Sequence, residues 1–178
     1  MVRHCLLPLL LLASAAPALA QRPLKAVPEL DLERYSGTWH EIARLPMYFQ
    51  RKCARDVTAT YTLREDGDVT VSNACVRADG VRMQSDGVAR MAGSDPAKLE
   101  VRFAPAWLSF LPGVWADYWV LAIDADYQWA IVGEPDRKYL WILSRQPTMD
   151  AKTLEALKAR ARTMEYDLAE LIVSAPPA

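Results

Sequence analysis

The stretch Asp56-Val57-Thr58-Ala59-Thr60-Tyr61-Thr62-Leu63-Arg64 alternates apolar and polar residues without a break. Val57, Ala59, Tyr61 and Leu63 fall on one side of an extended chain, and the threonines fall on the other. Period two marks a strand with one face buried. Threonine suits the pleated, solvated face. Asp66-Gly67 follows as a hairpin turn signal, and the alternation resumes at Asp68.

Outward from this stretch the same period recurs. Eight candidate strands span residues 38–45, 56–64, 68–76, 81–91, 98–104, 114–123, 127–133 and 138–145. Asp79-Gly80 and Ser94-Asp95-Pro96 supply further turns, and Gly87 predicts a bulge or bend. Short strands at regular spacing imply a sandwich or a barrel. Residues 21–29 carry Pro23 and Pro28 and read as an extended lead-in, and 30–35 fit one helical turn. After Gln146-Pro147-Thr148 the period changes. Residues 150–163 read as a helix with Asp150 as N-cap and Leu154, Leu157 and Ala161 on one face. Residues 168–173 fit a last short strand.

The late strands are apolar on both faces. Leu121 and Ile123 alternate with Val120 and Ala122, and Tyr139, Trp141 and Leu143 alternate with Leu140 and Ile142. A sheet buried on both faces needs outside cover, and the helix is the available cover. The other face then lines an interior. Trp115, Trp119 and Trp141, with Met83 and Phe103, are the expected wall, joined by Ala43, Met47, Tyr61 and Tyr139. Glu41, Asp117 and Tyr139 are the inward polar candidates. The aromatic set fits a solid core as well as a cavity, since large rings dominate cores generally.

The first twenty residues read as a leader. Arg3 and His4 precede an apolar run, and Ala18-Leu19-Ala20 is a small-x-small cleavage site ahead of Gln21. Residues 1–20 are thus an expected signal peptide, and 21–178 a single domain. Cleavage removes Cys5 and leaves Cys53 and Cys75, an even pair that in an exported chain implies a disulfide. One histidine, His40, remains, so no metal site and no cofactor are expected. A formal net charge of −1 gives no basic stripe for nucleic acid, and none is expected as a partner.

Gly37-Thr38-Trp39 resembles the lipocalin Gly-x-Trp motif, at the start of the first strand after a short turn. Asp124-Ala125-Asp126-Tyr127 stands where that family has Thr-Asp-Tyr, with Ile123 in place of the threonine. Arg145 closes the eighth strand, where the family has its lone arginine. The resemblance covers essentially the whole mature chain and is strongest to the bacterial lipocalins and their relative apolipoprotein D. It implies an all-β, eight-stranded, up-and-down antiparallel barrel with one C-terminal helix packed outside. It further implies binding, storage or transport of a fatty acid, lysophospholipid or phospholipid in the bacterial cell envelope. Many bacterial lipocalins are anchored through a cysteine at the cleavage point. Here Gln21 stands there, so an exported protein is expected, periplasmic, secreted or associated with the outer membrane without a lipoprotein anchor.

Strand alternation then sorts the ends. In an up-and-down barrel Gly37, Trp39, Asp124, Tyr127 and Arg145 gather at one end, where Arg145 can stack on Trp39. The opposite end is the mouth, with loops 46–55, 77–80, 105–113 and 134–137. Trp107, Phe110, Tyr48 and Phe49 make two of these loops unusually apolar, beside Arg51, Lys52 and Arg55. Three readings stand side by side: contact with a membrane surface, a lid over the mouth, or a dimer contact, so the chain is a monomer or a homodimer. Two other functions are open to such a chain. An enzyme needs an activated nucleophile, and His40 points outward by alternation, so no catalytic residues are assigned. A protein-interaction or inhibitor module working through the mouth loops is the other.

Overall fold

A computed structural model describes residues 21–175. The expected signal peptide and Cys5 lie outside the described residues. Asp31 caps helix α1 (Leu32–Tyr35), its carboxylate accepting from the Glu33 and Arg34 amides. The strands follow as β1 (Gly37–Arg44), β2 (Arg55–Leu63), β3 (Val69–Val76) and β4 (Arg82–Met91). Then come β5 (Lys98–Arg102), β6 (Ala116–Ile123), β7 (Trp129–Gly133) and β8 (Leu140–Ser144). Helix α2 (Ala151–Thr163) and a two-residue strand β9 (Ile172–Val173) end the chain.

Each of β2 to β7 pairs antiparallel with the next, and β1 closes the ring by pairing with both β8 and β2. The architecture is the expected closed eight-stranded barrel with one C-terminal helix. β1 bridges two neighbours by splitting its length. Its first half pairs with β2, and beyond it β9 lies against Ala43 and Arg44.

Two hydrophobic layers follow from apolar residues on both faces. Inside the ring, Trp39, Tyr61, Val69, Val71, Leu99, Val120, Val132 and Leu143 pack together. Outside it, Leu121, Ala122, Ile131, Leu140 and Ile142 meet Leu157 and Ala161 of α2 and Tyr166 beyond it. Ile131, Leu140 and Ile142 are wholly buried. Burial stabilises each such side chain by about 1.5–3 kcal/mol. Asp150 caps α2 through the Thr153 amide.

Several boundaries differ from the sequence expectation. Tyr127 takes φ 59° in the turn before β7, so that strand starts at Trp129. β6 starts at Ala116, and the last strand shrinks to two residues. Gly87 makes no bulge: β4 pairs with β3 without interruption. A Cβ there would lie 2.6 Å from the Arg102 carbonyl and 2.8 Å from the Phe103 ring, so glycine is required by close approach. True irregularities occur elsewhere, at Glu41/Ala43 in β1 and Val120/Ala122 in β6.

Candidate ligand-binding site

The barrel is shut at the end where β1 begins. Trp39 is fully buried and donates from Nε1 to the Tyr35 carbonyl at 2.8 Å. The Arg145 guanidinium lies 3.9 Å from the centroid of the Trp39 ring. It donates to the carbonyls of Arg34, Tyr35, Ser36, Thr38 and Tyr127 at 2.7–3.3 Å. Five carbonyls replace the water that a half-buried cation gives up. Gly37 sits at φ +97°, and a Cβ there would press to 3.2 Å from Arg145 Nη1. Tyr127 joins this end through its hydroxyl, which accepts from the Asp31 amide, and through its ring, 4.1 Å from the Arg34 guanidinium. The Asp124 carboxylate accepts from the Asp126 and Gln128 amides and shapes that turn.

Above this plug lies a cluster of phenols. Tyr118 Oη is 2.7 Å from Tyr35 Oη and 2.8 Å from Tyr61 Oη. Burial pushes the Tyr61 phenol up to about 12 and raises Tyr35 and Tyr118 as well, so all three stay protonated. Higher still, the wall opens. Strand register turns Met83, Ser85, Val101, Ala116 and Trp141 inward, yet none of these is buried. The inner wall of this half of the ring is thus accessible, unlike the filled half around Trp39.

A polar knot stands where β1 approaches the mouth. The bulge in β1 turns Arg44 inward, opposite Trp141. Arg44 Nε lies 3.2 Å from Glu41 Oε1, without hydrogen-bond alignment. The same carboxylate accepts from Ser174 Oγ at 2.5 Å and Gln50 Nε2 at 2.8 Å. Gln50 Oε1 in turn accepts from Trp141 Nε1 at 3.1 Å. Burial raises the Glu41 carboxyl above the usual carboxylate range, against these donors and Arg44.

The expected wall residues divide. Tyr61, Met83 and Trp141 face inward on their strands. Phe103 packs over Gly87 on the inner side, and Tyr139 meets Trp141 and Phe49 at the mouth. Met47 is buried in the segment after β1. Trp115 and Trp119 are corrections, because both face outward. Trp115 lies between the guanidinium groups of Arg90 and Arg102, at 3.9 and 5.0 Å. Trp119 packs on the helix-covered layer, with Lys98 Nζ 5.0 Å from its ring. Ala43 is another: past the bulge it pairs with Ile142 and belongs to the outer layer. Asp117 pairs with Glu100 on the outer face. Tyr118, Arg44, Gln50 and Asn73 are inner polar residues absent from the expected set. The signal for Tyr118 was its phase with Val120, opposite to that of the two tryptophans.

The mouth is lined by loops rather than strands. Tyr48, Trp107 and Phe110 are 74%, 72% and 78% exposed, and Phe49 is 52% exposed. Arg51, Lys52, Arg82 and Lys138 are exposed at the same end. Cys53 of this rim is bonded to Cys75 near the end of β3. His40 pairs with Thr58 and Ser144 on the outer face, and burial lowers its imidazole pKa. No group of three or more metal-ligating side chains occurs among the described residues.

Residues 30–176 match the family described as the lipocalin-like domain. The chain is a lipocalin. The chain is 44% identical to temperature-induced lipocalin-1 of Arabidopsis thaliana over 154 residues, covering 85% of this chain and 82% of that one. It is 37% identical to outer membrane lipoprotein Blc of Escherichia coli (strain K12) over 164 residues, covering 92% and 88%. The fold also superposes on insecticyanin from the tobacco hornworm Manduca sexta with a TM-score of 0.68 at 24% identity, covering 89% and 87%. Closure, helix position and the Trp39–Arg145 stack of this lipocalin thus stand with a family match over residues 30–176.

Proposed function

We propose that this lipocalin is an exported carrier that holds one long-chain lipid in its barrel and catalyses no reaction. The ligand class is a fatty acid, lysophospholipid or phospholipid, and the setting is the bacterial envelope. The observation that carries this reading is the accessible inner wall: Met83, Val101 and Trp141 face inward on a closed ring and are not fully buried. An acyl chain placed there leaves water at about 0.8 kcal/mol per buried methylene. That force is non-directional, so selectivity among chain types is broad. A relative named as an outer membrane lipoprotein supports the envelope setting. Cleavage after Ala20 would deliver residues 21–178 as one domain.

Binding rather than catalysis fits the disposition of reactive groups. Both cysteines of the described chain are joined to each other, and His40 is on the outer face. The lipid reaches the barrel from a membrane surface. Trp107, Phe110, Tyr48 and Phe49 stand exposed at the mouth, with Arg51, Lys52, Arg82 and Lys138 around them. Apolar tips flanked by cations suit an anionic lipid surface.

Titration of the mature protein with hexadecanoate and with a lysophospholipid, followed by tryptophan fluorescence, tests the carrier reading. Saturable quenching that Trp141→Ala weakens is the expected outcome. No saturable response to either lipid would move the mouth loops, as a protein-binding surface, to the front.

A further inference from the structure

The phenol cluster has one proton more than it can use. Three hydroxyls carry one proton each, and the two contacts at Tyr118 consume two. Tyr35 and Tyr61 are 2% and 7% exposed, whereas Tyr118 remains partly accessible on the inner face. Each contact can run either way; donation from the two more buried phenols, Tyr35 and Tyr61, into Tyr118 leaves the third proton on the ring that faces the lumen. Hydrogen bonds in series also strengthen the last donor.

An acceptor stands on the same inner surface. Asn73 pairs with Ala59 and Ser85, one inward-facing row nearer the mouth than the Tyr61–Val71 pair. Its Oδ1 is buried and has no hydrogen-bond partner among the described residues. A buried donor or acceptor left alone is costly, so such groups are normally matched.

The charge pattern decides which kind of ligand atom matches them. Arg44 lies 3.2 Å from Glu41, and Arg145 is held by five backbone carbonyls. Neither offers its charge to an anion at the phenol cluster. The free cations Arg51, Lys52, Arg82 and Lys138 stand at the rim. An anionic head therefore belongs at the mouth, and a neutral oxygen belongs at the floor.

We propose that the barrel floor recognises a neutral oxygen at the inner end of the ligand, with Tyr118 as donor and Asn73 Oδ1 as acceptor. The ligand enters chain-first and is oxygenated at the end remote from its head, as in an ω-hydroxy fatty acid. This assignment rests on the carrier reading above.

The test compares hexadecanoate with 16-hydroxyhexadecanoate, each titrated into the wild-type protein and into Tyr118→Phe. The decisive quantity is the ratio of the two affinities, hydroxy acid over plain acid. An apolar floor disfavours the hydroxyl, because burying it without a partner is costly. The expected ratio is one or above in the wild type and about tenfold lower in Tyr118→Phe. A wild-type ratio below one overturns the assignment, as does a ratio that Tyr118→Phe leaves unchanged. Where Tyr118→Phe does not fold, the wild-type ratio decides by itself. In each of these outcomes lipid binding still stands. Binding of neither acid removes the carrier reading, and this assignment with it.

Discussion

The two ends of the barrel use aromatic residues in opposite ways. At the closed end Trp39 is fully buried, its N–H satisfied by the Tyr35 carbonyl and its face covered by Arg145. At the mouth Trp107 and Phe110 are more than two-thirds exposed. The same residue types seal one end and present a surface at the other. The difference lies in what surrounds them. The closed end gathers backbone carbonyls from α1, β1 and the turn before β7 around one cation. The mouth is made of loops, and a disulfide and a carboxylate knot tie them to the strands.

If that contrast is right, the greatest loss of stability comes from the closed end. Trp39→Ala should lower the unfolding free energy by about 3–5 kcal/mol in denaturant titration, because it empties a filled core site and strands Arg145. A loss under about 1 kcal/mol would mean the plug contributes no more than a surface contact.

The staple at the mouth comes second. Cys53 and Cys75 are 22 residues apart, and closing a loop of that length stabilises by about 3 kcal/mol in the chain-entropy model. Cys53→Ser with Cys75→Ser should lower stability by about that amount and leave the Trp39–Arg145 end folded, as read by near-ultraviolet circular dichroism.

A smaller effect is pH-dependent. Burial, reinforced by Asp136, pushes the Glu134 carboxyl at the mouth up to about 7. A raised carboxyl favours the protonated native state. Its contribution is present below about 4.5 and is lost as pH rises through about 7. His40, lowered by burial, acts with the opposite sign near the same pH. The measurement is therefore a difference: Glu134→Gln should flatten the decline of stability between about pH 4.5 and 7 relative to wild type. Identical pH profiles would place Glu134 in ordinary solvent.

The smallest change in stability should come from the exposed rings. Trp107→Ser with Phe110→Ser should alter unfolding free energy by no more than about 0.5 kcal/mol. Co-sedimentation with anionic phospholipid vesicles should nevertheless fall sharply. Unchanged vesicle binding would sink the membrane role of the mouth and leave the barrel itself untouched.

Much of this molecule was legible in its residues. Period-two alternation and turn signals locate eight strands, because a half-buried strand must alternate. The run of Trp39, Asp124, Tyr127 and Arg145 points to one end of an up-and-down ring, since strand count alone sets direction. The Cys53–Cys75 pair was legible because setting Cys5 in the expected leader leaves two cysteines to pair.

What alternation cannot supply is the phase of a strand that is apolar on both faces. β6 and the residue before it offer Trp115 and Trp119 on one side, and Tyr118 and Val120 on the other. Both sets suit burial, and only closure of the ring against β5 and β7 puts the tyrosine inside. The bulge in β1 acts likewise. It turns Ala43 to the outer layer and Arg44 to the inner one, a flip with no local signature. The sequence by itself determined the period, the count of strands and the chemistry at each end. Tertiary structure decided which half of each doubly apolar strand meets the ligand, because a one-residue shift in register exchanges every side chain between the two faces.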